Sequence, residues 1–389
     1  MTTERHSTGL DATASPSPAG DGFRAAITFD MGDDALWRRW GDLADDGIAT
    51  VFQAVGVARP LLAGLAPIFG VRPFVVEVFD GAGRHVLSLG LVARRTAVAR
   101  RIEFADFGLI DHNAPIWSGD LDLGGGRGAA LQRAILAALP PHDALILGKM
   151  PAEVEGRPNP LAAWPGTVPM NVVTMVYDPA TRPPSDLSAV KESGRKRRKL
   201  ARDGGAIRRV DDVDRASALL DFAFDLRAAK AHREGRREII EQRAVRDFYR
   251  AIIVGGLADG SAVVWEVVLG ERTIGMVHGL ARRDRFSGTL MATVDDDGLA
   301  PYSPGMIAVA SVLEDHVANR GGRFDLGPGE HPYKLRFGGE PFELVEHGRA
   351  ATPFGLFAIA DRAFRRTVRA LLRRNPELKG RLYRLMGWG

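Results

Sequence analysis

No cysteine occurs anywhere in the 389 residues. Its absence excludes disulfides, thiolate metal sites and a cysteine nucleophile, and it agrees with a reducing compartment. The nine histidines are scattered, without HExxH or paired ligand spacing, so no metal is expected. A long apolar run is missing too. The longest, Val51–Gly70, is broken by Gln53, Arg59, Pro60 and Pro67. A membrane span needs roughly 20 continuous apolar residues, so this run is read as a buried helix or turn. The first 22 residues are rich in Ser, Thr, Ala and Pro and lack an apolar stretch, which predicts a disordered tail rather than a secretory signal. The expectation is a cytoplasmic protein, soluble or at most membrane-peripheral.

Charge of one sign is not in large excess, the net being +4. It is unevenly spread: 16 basic and 21 acidic side chains in residues 1–190, against 36 and 27 in the remainder. A basic second half suits phosphate-bearing partners. Its arginines are matched by many carboxylates, however, so no specific nucleic-acid binding is expected. The length suits two domains of ordinary size, each with its own core.

An internal echo supports that division. The hairpin Val75–Arg95 has a counterpart in Val263–Arg283. Each is followed by a further β-type run (Arg101–Phe107, Phe286–Val294) and an acidic-to-proline turn (Asp111–Pro115, Asp297–Pro301). A helix comes next (about Arg127–Leu139, Gly305–Arg320), then a short strand (Ala144–Leu147, Arg323–Leu326). Matching order through four elements argues for a duplicated α/β domain. Asp178–Pro184, with three prolines in seven residues, is the linker candidate. The predicted layout is a tail (1–22), a first domain (23–177), a linker (178–184), a second domain (185–350) and a basic helical extension (351–389).

The second copy carries the chemistry. Tyr302-Ser-Pro-Gly305 leads into a helix whose free N–H groups and dipole form a ready anion site. An ordinary strand–helix–strand crossover would read the same way. The N–H groups of Ser303, Gly305 and Met306 are candidates to anchor phosphates, and Phe286–Val294 offers an edge on which an extended arm can pair. In the turn Gly327-Pro-Gly-Glu-His-Pro, Glu330 and His331 are the nearest titratable pair for a base, and Tyr333 suits an acid. Asp325 is expected to cap that turn. Lys334 suits a phosphate, or a pairing with Asp325 or Glu330.

Several stretches carry a family resemblance: Phe104–Pro115, Lys149-Met-Pro with Asn159-Pro160, Lys230-x-x-Arg233, Phe248-Tyr249, Tyr302–Gly305 and Phe324–Lys334. With these the chain resembles the tandem-GNAT acetyltransferases of the cellulose-biosynthesis CelD type, relatives of the FemAB-like transferases. It departs from them in having Asp111-His112 where members usually read aspartate-tyrosine. Arg336-Phe337 stands where an aromatic usually follows Tyr-Lys-x, and the glycine-rich pyrophosphate signature is reduced to Gly305. The resemblance implies an α/β (α+β) fold of two tandem GNAT-like domains, each a mixed, mostly antiparallel twisted sheet flanked by helices. It implies acyl transfer from acetyl-CoA or another acyl-CoA to an amine or hydroxyl of a sugar, amino-sugar or amino-acid-like acceptor, in exopolysaccharide or lipid biosynthesis. Tyr302, Ser303, Gly305, Met306 and Lys334 would hold the donor, and Glu330, His331 and Tyr333 would act on protons. Asp111, His112, Lys230 and Arg233 would shape the acceptor site.

Two other readings stand beside it. One is a FemAB-like aminoacyl transferase using aminoacyl-tRNA, supported by the basic run Lys191–Lys199, which otherwise reads as a solvated helix face. The other is a non-catalytic accessory protein. The amphipathic, basic stretch Arg362–Arg384 suits either an acidic membrane surface or packing on the second domain.

Overall fold

The computed structural model describes residues 22–374 except Arg236, with side chains described as far as Phe364. The expectations for the N-terminal tail and for a helix break at Asn375-Pro376 lie outside these residues.

The first half runs β1 (Arg24–Thr28), α1 (Asp34–Asp46), α2 (Val55–Arg59), α3 (Ala66–Ile68), β2 (Arg72–Phe79), β3 (His85–Arg95), β4 (Arg100–Phe104) and β5 (Ile116–Trp117). It continues through α4 (Arg127–Ala138), β6 (Ala144–Pro151), the small pair β7 (Glu153–Val154) and β8 (Arg157–Pro158), and β9 (Thr167–Tyr177). The second half runs α5 (Ser188–Arg202), β10 (Gly205–Arg209), α6 (Val213–Arg233), α7 (Arg243–Gly256), β11 (Ala262–Leu269), β12 (Arg272–Arg282) and β13 (Arg285–Thr293). After it come α8 (Pro304–Arg320), β14 (Phe324–Pro328), α9 (Pro332–Arg336), β15 (Glu340–Ala350) and α10 (Pro353–Arg374).

One sheet contains nearly all the strands, in the order β1-β2-β3-β4-β6-β15-β9-β14-β13-β12-β11-β10, with β5 paired to β3. Read from either end the order is the same: an outer strand, a hairpin, a third antiparallel strand and then a parallel one. The parallel pairs are β4 with β6 and β13 with β14. This is the sequence echo in space, a mixed and mostly antiparallel sheet flanked by helices. At the centre the halves exchange strands. β15, late in the second half, pairs with β6 of the first, and β9, last strand of the first half, pairs with β14 of the second. β9 and β15 then pair with each other.

The apolar pattern explains the layers. Trp37 and Trp40, three apart on α1, are both buried, and each indole N–H donates to a backbone carbonyl (Met31 at 2.9 Å, Gln53 at 2.8 Å). The run Val51–Gly70 is the expected buried helical stretch, made of α2 and α3 joined by a π-type turn over Pro60–Leu65. Its Leu61, Leu62 and Leu65 share one continuous core with Phe224, Phe248 and Ile252 of α6 and α7. On the other face α4 covers the first half, while α5 and α8 cover the second. α10 packs on β15 of the second half and on β6 of the first, so it lies across the seam between them. Its first turn is close against Asp143, where a Cβ on Gly355 would lie 1.8 Å from the Asp143 carbonyl oxygen.

Candidate active site

β13 and β14 run parallel and pair only at Phe286–Phe324 and Ser287–Asp325. Beyond those two positions they diverge. The opening is a cavity of about 360 Å³, lined by Gly288–Met291 on one side and Asp325–Pro328 on the other. An edge of β13 free of a partner on this side is what an extended ligand needs in order to pair as a further strand. The strand signalled by the sequence, Phe286–Val294, thus borders the candidate donor cleft.

Two carboxylates from different halves face this cavity. Asp325, on β14, is buried. Its Oδ1 accepts from Thr174 of β9 at 2.6 Å and from the Gly327 N–H at 2.8 Å, which is the expected turn cap. Oδ2 lies 3.2 Å from Nε2 of His112, off the line of a good hydrogen bond, and neither atom has another partner. Asp111 lines the same cavity from the first half. Burial, and next the negative charge of Asp325, push its carboxyl up to about 6, against the pull of His112, Lys149 and Lys334. A carboxyl titrating near neutrality in a cleft is suited to general-base work.

Lys334 is buried, and its Nζ donates to the carbonyls of Gly327 (2.9 Å) and Pro328 (2.8 Å). Burial pushes its pKa down, and Asp325 and Asp111 oppose the shift. The lysine therefore closes the glycine-rich turn while placing a cation beside both carboxylates. Tyr333 also lines the cavity although 37% of it is exposed, and the partial burial of its phenol pushes its pKa up. Glu330 and His331 are exposed and lie outside the cavity lining.

At the far end of the cleft, α8 begins at Pro304 after Ser303, whose φ is +47°. Gly305 sits against β13: a Cβ there would lie 3.3 Å from Thr293 Cγ2 and 3.4 Å from Met291 Sδ. The Lys196 ammonium of α5 donates to the Ser303 hydroxyl, adding a cation to the helix N-terminus. Tyr302 turns away from it, its hydroxyl donating to Asp203 at 2.7 Å.

The structure thus brings together Asp111, Tyr333 and Lys334, with His112 behind Asp325. Lys230 and Arg233 do not join them: Lys230 is exposed and Arg233 pairs with Asp295 at 3.1 Å. Arg227, one turn earlier on the same face of α6, lines the cavity instead and is held by Glu238 at 2.8 Å. Sequence reasoning missed it, although its place three residues before Lys230 was the available signal. Among the described residues no group of three His, Asp or Glu side chains could hold a metal ion, and no helix is long and apolar enough to cross a membrane.

Residues 188–335 match the acetyltransferase (GNAT) domain family. The second half therefore carries a GNAT-type acetyltransferase domain. Comparison with curated proteins yields no match. Among solved structures, the chain is similar in fold to FemX, at TM-score 0.55 and 9% identity over 79% of this chain and 95% of that one. It is similar also to the C-terminal domain (DUF2156) of a putative lysylphosphatidylglycerol synthetase from Agrobacterium fabrum, at TM-score 0.50 and 11% identity over 86% and 95%.

Proposed function

We propose that the protein is an acyltransferase that moves an acyl group from a CoA thioester to an amine or hydroxyl. In this reading the donor's arm pairs with β13 where it leaves β14, and its phosphates sit at the start of α8 beside Lys196. The observation that carries the reading is Asp111: a carboxyl from one half, raised to about 6, beside the strand divergence of the other. Its carboxylate accepts the acceptor's proton as the nucleophile attacks the thioester carbonyl. Tyr333 holds a proton at the same cavity for the departing thiolate. Asp325 and Lys334 fix the charge around Asp111, and His112 faces Asp325 from behind.

The aminoacyl-tRNA reading leaned on the basic run of α5. Four of its six cations are engaged within the chain: Lys191 with Asp186, Lys196 with Glu192 and Ser303, Arg197 with Glu314, and Lys199 with Asp203. That leaves little of the run free for a polynucleotide. A titratable carboxyl held in a cavity favours catalysis over an accessory role. The acceptor class to test first is a sugar, amino-sugar or amino-acid-like compound of exopolysaccharide or lipid synthesis.

Titration calorimetry with CoA and acetyl-CoA checks the donor. One site per chain is expected. Gly305→Val, which pushes a side chain into Met291 and Thr293, should weaken binding at least about tenfold, or about 1.4 kcal/mol, in a protein that still melts cooperatively. Two equivalent sites, or unchanged affinity in the folded variant, would overturn the placement.

A further inference from the structure

A further cavity lies outside the candidate active site. It is a groove of about 1000 Å³ between α10 and the region around β4, and Arg101 and Lys149 are among its lining residues. Lys149 is engaged with the Ile110 carbonyl at 2.8 Å and with Asp106 at 3.4 Å, and Arg362 with Glu346 at 2.9 Å. Arg101 differs. Its Nε is buried without a hydrogen-bond partner. A buried donor left unmet is costly and calls for an acceptor from outside the chain. A guanidinium is matched by the paired oxygens of a phosphate or carboxylate.

The rim of the groove is apolar and wet. Val98 is 58% exposed and Phe357 67% exposed. Phe357 also belongs to a stripe on α10 with Phe354 and Phe364, at helical spacing and both more than half exposed. Ala358, about a quarter-turn around the helix from Phe357, is buried on the sheet. In sequence α10 carries six arginines (362, 365, 366, 369, 373 and 374) against one acid, Asp361. Two copies of such a helix repel each other, which argues against self-association. Exposed phenylalanines among arginines fit an interface that is apolar within and anionic at its surface.

We propose that α10 docks the protein on a membrane containing anionic phospholipid, with a headgroup phosphate on Arg101 and the acyl region against Phe357 and Val98. This goes beyond the acyl-transfer reading and does not depend on it.

Co-sedimentation of the full chain with vesicles tests it. Binding is expected to vesicles with about a third phosphatidylglycerol, not to phosphatidylcholine alone, and it should fall away by about 0.5 M salt. The pair Phe357→Ser and Phe364→Ser should lower binding at least about tenfold. Arg101→Gln should lower it several-fold while calorimetric CoA binding and melting temperature stay unchanged. Equal binding to neutral vesicles overturns the proposal, as does full binding by either variant. So does inorganic phosphate binding as tightly as vesicles, which would make the groove a site for a free anion. A dimer that the phenylalanine variant dissolves would identify a second copy as the occupant and overturn it equally.

Discussion

In the proposed reaction Asp111 is the base. With its carboxyl raised to about 6 in the folded state, it accepts a proton only above that pH, so turnover should climb through pH 6. Asp111→Asn should lower turnover by roughly 10²-fold or more and remove that rise. The same substitution should stabilise the fold. A carboxyl whose folded pKa is raised costs the fold nothing below its unfolded value, and its penalty builds as the pH climbs from there to the folded value. The asparagine variant should therefore melt higher at pH 8, by on the order of 2–3 kcal/mol, and lose that advantage progressively between pH 6 and 4. Melting curves across this range check the sign. Tyr333→Phe should cost turnover, whereas Glu330→Gln, on the exposed side of its turn, should leave it within about twofold. The sequence singled out Asp111, as an acceptor-site residue, and Tyr333 and Lys334 through the glycine-rich turn that leads into α9. Thr174 and Arg227 were not singled out. Thr174 reaches the site through strand exchange, which leaves no local signature, and the one signal for Arg227 was its place three residues before Lys230.

At the scale of elements, period and punctuation were nearly sufficient. Pro304 inside the start of α8 and Gly321 past its end mark that helix to the residue. The seating of α10 across β15 and β6 was not legible, because it depends on Gly355 meeting Asp143, more than two hundred positions away. Thr352 adds a hydrogen bond from its hydroxyl to Asp143 at 2.9 Å. Gly355→Ala should therefore lift the first turn of α10, at about 1–3 kcal/mol for the overpacking. Limited proteolysis should then cut near residues 351–360 faster than in the parent protein. Unchanged cleavage would show that the turn absorbs the methyl group without moving.

The whole molecule behaves as one cooperative body if the strand exchange governs its stability. Neither half has a complete sheet of its own: β6 needs β15, and β14 needs β9. Core residues of α2 and its following turn mingle with those of α7. Arg282 and Arg283 of the second half both reach Glu155 of the first. Differential scanning calorimetry should show a single transition with matching calorimetric and van't Hoff enthalpies. Two resolved transitions would mean that the halves fold independently. The duplication was legible as an echo, yet the exchange was not, since each repeat reads the same whether its last strand stays home or crosses over.

That crossing has a consequence for how the chain is born. About 190 residues separate the end of β6 from the start of β15. At about 5–20 residues per second this is on the order of 10–40 s of synthesis. Throughout that interval β6 would present an unpaired edge of backbone donors and acceptors, the kind of template on which nascent chains aggregate. The first half is thus committed early and completed late, and its yield in the cell should depend on the pace of translation through the second.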